Sequence, residues 1–264
     1  MRLPRYPLND AGSPCAIVPL MQVVQRSAEQ LIEQATVALH DRYESLRRSC
    51  ANESPPNLTI KPGLGAKEAE HFLLGIERGI FSIDDESYVR SAVLPSSRIL
   101  QLFWRRLRRR YLFREGVCQL ATVAELVLEH QWPIEQIEME PSFPEFPSLH
   151  WAVDIILKDA GGTVLAGCEV KRNDRELELL LRGFEYCCTR GGHCKGECEF
   201  KKNHPKYEFC ALKRPGWFMA VSPGKQVLLR LSYDTGGVTI GEQIGPLPEP
   251  KWGRILADVA PVPA

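Results

Sequence analysis

Residues 151–171 read WAVDIILKDAGGTVLAGCEVK. Two apolar runs, 151–158 and 163–171, flank Asp159-Ala160-Gly161-Gly162, whose residue types favour a tight turn. The pattern predicts a β-hairpin. Residues i and i+2 of a strand share a face, so Glu169 and Lys171 project together and Val170 faces the other way. Setting Asp154 opposite Glu169 centres the register between Gly161 and Gly162, where the turn lies. The flanks Val153, Ile155, Ile156, Cys168 and Val170 are those of strands buried on at least one face.

The segments around the hairpin extend this into an α/β chain. Helical spacing predicts helices over 21–50, 66–78, 97–114, 115–130 and 175–186. Strands are expected at 134–139, 216–221 and 226–233, with a Cys-, Gly- and Lys-rich loop from Cys187 to about Lys206. The order of elements suggests a helical N-terminal region at 1–110, an α/β core with a mixed sheet at 111–240, and a Pro-rich, irregular tail at 241–264.

Composition sets the outer bounds. The chain has 264 residues, of which 25 % are charged and 44 % hydrophobic, an ordinary globular balance that argues against wholesale disorder. Lys plus Arg and Asp plus Glu are both 33, so a uniformly basic nucleic-acid binder is excluded and a local basic patch is not. No apolar run matches a signal peptide or a membrane span, and the expected location is cytoplasmic.

A converging Asp154, Glu169 and Lys171 is electrostatically costly unless a cation offsets the carboxylates. A hard divalent ion such as Mg²⁺ or Mn²⁺ takes oxygen ligands, and a lysine beside it can orient a water or offset charge on a phosphate. Asp154…Glu169-x-Lys171 on a hairpin followed by a helix resembles the PD-(D/E)XK, or restriction-endonuclease-like, nuclease superfamily. The resemblance covers about 115–233 and departs from the pattern in having Val153, not Pro, before Asp154. It implies a restriction-endonuclease-like fold, Mg²⁺ on Asp154 and Glu169, assistance by Lys171, and hydrolysis of DNA. Many members add a glutamate from the helix before the sheet. Glu115 and Glu125 compete for that place. Glu125, about 100° from the centre of the helix's buried face, is preferred over Glu115 at about 180°. Glu138 and Glu140 are further candidates.

Five of the nine cysteines, Cys187, Cys188, Cys194, Cys198 and Cys210, fall within 24 positions. Clustered thiols in a reducing compartment point to metal binding more than to disulfides. Cys188, Cys194, Cys198 and Cys210 make a four-ligand set for structural Zn²⁺, with Gly191, Gly192 and Gly196 supplying flexibility. The spacing is not a standard knuckle, so His193 or His204 could replace a cysteine. An iron–sulfur cluster is the lesser alternative.

Residues 101–114, QLFWRRLRRRYLFR, hold six arginines and no acid. Read as a helix, the segment groups Arg105, Arg108 and Arg109 on one face for phosphate, with Trp104 and Tyr111 for base stacking. Lys195, Lys201, Lys202 and Lys206 form a second basic group, and the acidic stretch 121–149 is a possible internal counterpart of the first. His40, His71, His130 and His150 show no evident partner. DNA is the expected partner, with a homodimer or a partner protein also compatible. A different class of function, a non-catalytic zinc-stapled module that binds nucleic acid or protein in a larger complex, fits the same basic and cysteine-rich features.

Overall fold

The computed structural model describes residues 26–49, 58–96, 98–106, 109–146, 149, 152–192, 200–235 and 237–244. In chain order its elements are α1 (Ala28–Ser49), α2 (Ala66–Glu77), β1 (Phe81–Ile83), β2 (Val89–Ser91), β3 (Phe103–Arg106), β4 (Arg109–Leu112), α3 (Arg114–Leu128), β5 (Ile137–Met139), β6 (Ile155–Lys158), β7 (Val164–Val170), α4 (Asp174–Thr189), α5 (His204–Lys213), β8 (Trp217–Ser222), β9 (Lys225–Asp234) and β10 (Gly237–Ile244). The class is α/β. A mixed six-stranded sheet runs β10-β9-β8-β7-β6-β5, and two small ribbons, β1-β2 and β3-β4, stand apart from it.

The β6–β7 hairpin has the register its sequence implies. Ile155 faces Cys168, Ile156 faces Gly167 and Leu157 faces Ala166, with a shift next to the turn. Asp159 organises that turn by accepting the Gly161 and Thr163 N–H groups on Oδ1, an Asx-type arrangement. β7 and β8 are the sheet's parallel pair. They are joined through α4 and α5, the helical crossover a parallel connection requires.

Both faces of the sheet are buried, by different helices. Ala166, Cys168 and Val170 of β7 and Trp217, Met219 and Val221 of β8 belong to a core shared with α1, α2, α3 and the two ribbons. Phe218 and Ala220 of β8 and Ile156 of β6 join Leu177, Leu180 and Phe184 of α4 and Phe209 and Cys210 of α5. Successive residues of one strand thus feed opposite cores, which is why these strands read as near-continuous apolar runs. The first core spans Ala35 to Leu228, so α1 and α2 pack on the same body as the sheet.

Four segments differ from their sequence reading. The predicted helix 97–114 is the antiparallel ribbon β3-β4, with Trp104 opposite Tyr111, Arg105 opposite Arg110 and Arg106 opposite Arg109. The apolar spacing of Leu100, Phe103 and Trp104 is compatible with a helix, but β-favouring Phe103, Trp104 and Tyr111 sit in paired strands, Phe103 opposite Leu112 and Trp104 opposite Tyr111. Residues 134–136 form a 3₁₀ turn before β5. The end of the Cys-rich loop is a helix, α5, started by Pro205 in its first turn, where the missing N–H costs nothing. Of the tail expected at 241–264, residues 241–244 are the end of β10 against β9, and the rest lies outside the described residues.

Gly167 marks where α5 meets the sheet. A Cβ at this position would lie 2.5 Å from Phe209 Cε1. Gly167→Ala is expected to cost about 1–3 kcal/mol through overpacking, read as a lower denaturant midpoint at unchanged m-value.

Candidate active site

Asp154 stands just before β6, where the backbone turns out of the ladder. Its N–H still donates to Cys168 O at 3.0 Å, and its Oδ2 accepts the Val170 N–H at 2.6 Å. The side chain therefore continues the pairing that the backbone gives up, and Asp154 comes level with Glu169. Oδ1 accepts from Gln119 Nε2 of α3 at 2.9 Å, and the same amide donates to Glu140 Oε1 at 2.9 Å.

Glu169 and Lys171 share one side of the β7 end, as period 2 requires, with Lys171 Nζ 2.8 Å from Glu169 Oε1. Lys206 Nζ of α5 reaches the same Glu169 oxygen at 3.0 Å. Glu169 Oε2 is buried with no hydrogen-bond partner. Lys171 is further held by Glu115 Oε1 at 2.6 Å and by Val170 O at 2.9 Å.

Of the two candidate helix glutamates, Glu115 meets the Asp154–Glu169–Lys171 group and Glu125 does not. α3 packs on the sheet face that carries Cys168 and Val170, whereas Glu169 extends toward Lys206 of α5 on the other. The first part of α3 reaches the group through Glu115 and Gln119. Glu125 lies ten residues further on, about 15 Å along the axis, bound to Lys67 at 2.6 Å and Gln226 at 2.7 Å. The angle of a residue from a helix's buried face does not say which end of the helix meets the sheet edge, and so it favoured Glu125. Glu138 is ion-paired with Lys158. Glu140 joins the site from the chain after β5. Its backbone has a left-handed φ of 51°, held by the bond from its N–H to Asp154 O and by Arg98 on its carbonyl.

The electrostatics follow from burying several carboxylates together. Burial, and next the neighbouring Glu169 charge, push the Asp154 carboxyl well above the usual carboxylate range. Burial also pushes Glu140 up. Burial disfavours the Lys171 ammonium, but Glu169, Asp154 and Glu115 outweigh it and raise its pKa, so Lys171 is cationic at neutral pH. A proton or a cation near Asp154 relieves this repulsion.

These residues fit a hard divalent ion. Asp154 and Glu169 present carboxylate oxygens, and Glu169 Oε2 is an orphaned acceptor whose burial is costly without a positive partner. Gln119 and Lys206 were not assigned here from sequence: Gln119 is an ordinary helix residue until α3 is docked, and Lys206 reads only as one of a basic group.

The site opens into a cleft of about 810 Å³ lined by Glu115, Glu169, Lys171, Arg172, Lys202 and Trp104, among others. Trp104 and its cross-strand partner Tyr111 are half exposed. Lys201 and Lys202 are exposed on the turn before α5. The helical grouping of Arg105, Arg108 and Arg109 does not form. Arg105 and Arg109 occupy alternate register positions of the ribbon, and Arg108 lies outside the described residues.

Of the proposed zinc ligands, Cys188 and Cys210 are described, at the end of α4 and in α5; Cys194 and Cys198 lie outside the described residues. Burial pushes the Cys188 thiol up to about 12. Burial, and then nearby Cys188, push the Cys210 thiol up as well. The two thiols are neighbours across the α4–α5 crossover. Among the described residues, no helix is long and apolar enough to cross a membrane.

Comparison of the chain with family models, with curated proteins and with solved structures finds no match.

A pH effect on stability follows from Asp154. Its folded pKa lies above its unfolded value near 3.8. The native state therefore holds the extra proton, and the metal-free protein loses stability as pH rises from that value through the folded pKa. Asp154→Asn removes this dependence because an amide does not titrate, and Gln119 can turn its unpartnered Oε1 toward the new amide. Thermal unfolding without divalent ions is expected to give the variant a flatter pH profile and an equal or higher Tm at neutral pH. A lower Tm with the wild-type profile would contradict the assignment.

Proposed function

We propose that the chain is a metal-dependent nuclease that hydrolyses phosphodiester bonds in DNA, with a restriction-endonuclease-like core. The observation that carries this reading is the convergence of Asp154, Glu169 and Lys171 at the ends of β6 and β7, with Glu169 Oε2 buried and unpartnered. It is the arrangement that the PD-(D/E)XK resemblance implies.

In this reading Asp154 and Glu169 hold Mg²⁺ or Mn²⁺. The bound ion supplies Lewis-acid polarisation of the phosphoryl oxygen and a more acidic water. Water oxygen forms the new bond to phosphorus, the bond to the leaving sugar oxygen breaks, and that oxygen takes up a proton. Lys171 keeps its proton, since its neighbours raise its pKa. Its part is to offset charge on the phosphate and to orient water rather than to act as the base. Glu115 fixes the Lys171 ammonium, and Gln119 fixes Asp154.

The cleft supports a nucleic-acid substrate. Lys61, Arg172 and Lys202 line it with Lys171 and Lys206, offering cations to a backbone. Trp104 is a stacking surface at its wall. A structural Zn²⁺ on Cys188, Cys194, Cys198 and Cys210 would staple the crossover that carries Lys202 and Lys206. The described pair Cys188 and Cys210 is compatible with it.

Purified protein incubated with linear, circular and single-stranded DNA and Mg²⁺ or Mn²⁺ is expected to cleave at least one of them, and EDTA to abolish cleavage. Asp154→Asn, Glu169→Gln and Lys171→Met should each reduce the rate by roughly 10²-fold or more while the circular dichroism spectrum stays native. Trp104→Ala should chiefly weaken DNA binding. Wild-type cleavage in all three site variants would refute the assignment, and metal-independent binding without turnover would favour a non-catalytic module.

A further inference from the structure

A second polar cluster lies where α2 meets the end of α3. Ligand atoms of Glu125, Glu129 and His130 all lie within 4.8 Å of one another. His130 is 5 % exposed, and neither ring nitrogen has a hydrogen-bond partner. Its Nε2 points at Glu125 Oε1 from 3.5 Å. An imidazole buried this deeply without a partner is expensive, and metal coordination would satisfy it.

His71 of α2 stands beside the cluster. Its Nδ1 is 2.8 Å from the Lys67 carbonyl, which can only accept, so Nδ1 carries a proton. Its Nε2 meets Glu129 Oε1 at 2.7 Å. His71 thus fixes the Glu129 carboxylate from outside, as the hydrogen-bond partners of metal-ligating carboxylates do. Lys67 Nζ occupies the cationic position, 2.6 Å from Glu125 Oε1 and 3.5 Å from Glu129 Oε2. Its side chain is 51 % exposed and free to swing into water. Glu129 is likewise half exposed and gives access from solvent.

We propose that Glu125, Glu129 and His130 form a second metal centre, for a first-row transition-metal dication of the zinc and cobalt class, with His71 of α2 holding Glu129 from outside. An imidazole nitrogen with two carboxylates suits such ions better than the all-oxygen preference of Mg²⁺. The ion takes the place of the Lys67 ammonium. This inference is independent of the nuclease reading, and neither needs the other.

The test is titration of the full chain with Co²⁺, followed by visible absorption and by equilibrium dialysis. Beyond any equivalent that Asp154→Asn removes, wild-type protein is expected to bind one with the weak bands of nitrogen and oxygen ligands and without thiolate charge-transfer intensity, which sets it apart from any cysteine site. Glu129→Gln and His130→Gln should each lose that equivalent, while Asp154→Asn keeps it. Lys67→Met, which removes the competing ammonium, should bind Co²⁺ roughly tenfold more tightly. It decides the matter even where the histidine variant fails to fold. Equal binding by wild type and both ligand variants, thiolate bands alone, or unchanged affinity in Lys67→Met would overturn the proposal.

Discussion

The Val170 N–H to Asp154 Oδ2 bond sets the geometry on which the candidate site depends. The β6–β7 ladder ends at Ile155 opposite Cys168, and beyond it the Asp154 N–H still donates to Cys168 O. The Asp154 side chain takes over the role of a backbone acceptor one step beyond the ladder. The same carboxylate that closes the hairpin is thereby held beside Glu169. Structure and chemistry draw on one group, and the cost is a buried carboxyl whose ionisation Glu169 opposes.

The surrounding residues distribute that cost. Lys171 and Lys206 both lie on Glu169 Oε1, one from the strand and one from α5. Gln119 donates both to Asp154 and to Glu140, so one neutral amide separates two buried carboxyls. Glu115 ties Lys171 back to α3. Three elements from opposite faces of the sheet thus meet at the strand ends, where the backbone no longer fills the space. Each supplies a group the others leave unpaired. Removing a single partner exposes a charge rather than a contact, which is the costlier loss in a buried network.

The hairpin was legible in the sequence because its evidence is local. Gly161-Gly162 places the turn, antiparallel register then pairs Asp154 with Glu169, and period 2 joins Glu169 to Lys171. The helices α2 and α3 were legible for the same reason, from spacing and Pro breaks. What escaped depends on tertiary packing. Arg105 to Arg110 support a helical face or a ribbon equally well until Trp104 finds Tyr111 across the turn. Lys206 acquires a role only when Pro205 starts a helix that lays it against Glu169. The choice between Glu115 and Glu125 turned on which end of α3 meets the strand ends, a fact absent from any helical projection. His71 and His130 looked solitary because their partners come from another helix and from the end of α3.

α3 also explains why its two carboxylate pairs behave differently. Glu115 sits in its first turn, where the helix dipole favours negative charge. It can spend its charge on Lys171 without further support. Glu125 and Glu129 lie at the other end, where the dipole opposes anions and the last turn offers no basic residue of its own. Burial opposes ionisation of Glu125 as well, yet His130, Lys67 and Gln226 hold its carboxyl down to about 2. Its compensation must therefore come from outside α3's own last turn. Lys67 and His71 of α2 supply part of it, and they stand one helical turn apart, facing Glu125 and Glu129 in the same order. His130, buried among these charges with Nε2 3.5 Å from Glu125 Oε1 and no hydrogen bond at either nitrogen, is the remainder that proton-bearing partners leave unsatisfied. A cation with directional bonds to nitrogen and oxygen satisfies that end of the helix in a way an ammonium on a flexible, half-exposed stem does not.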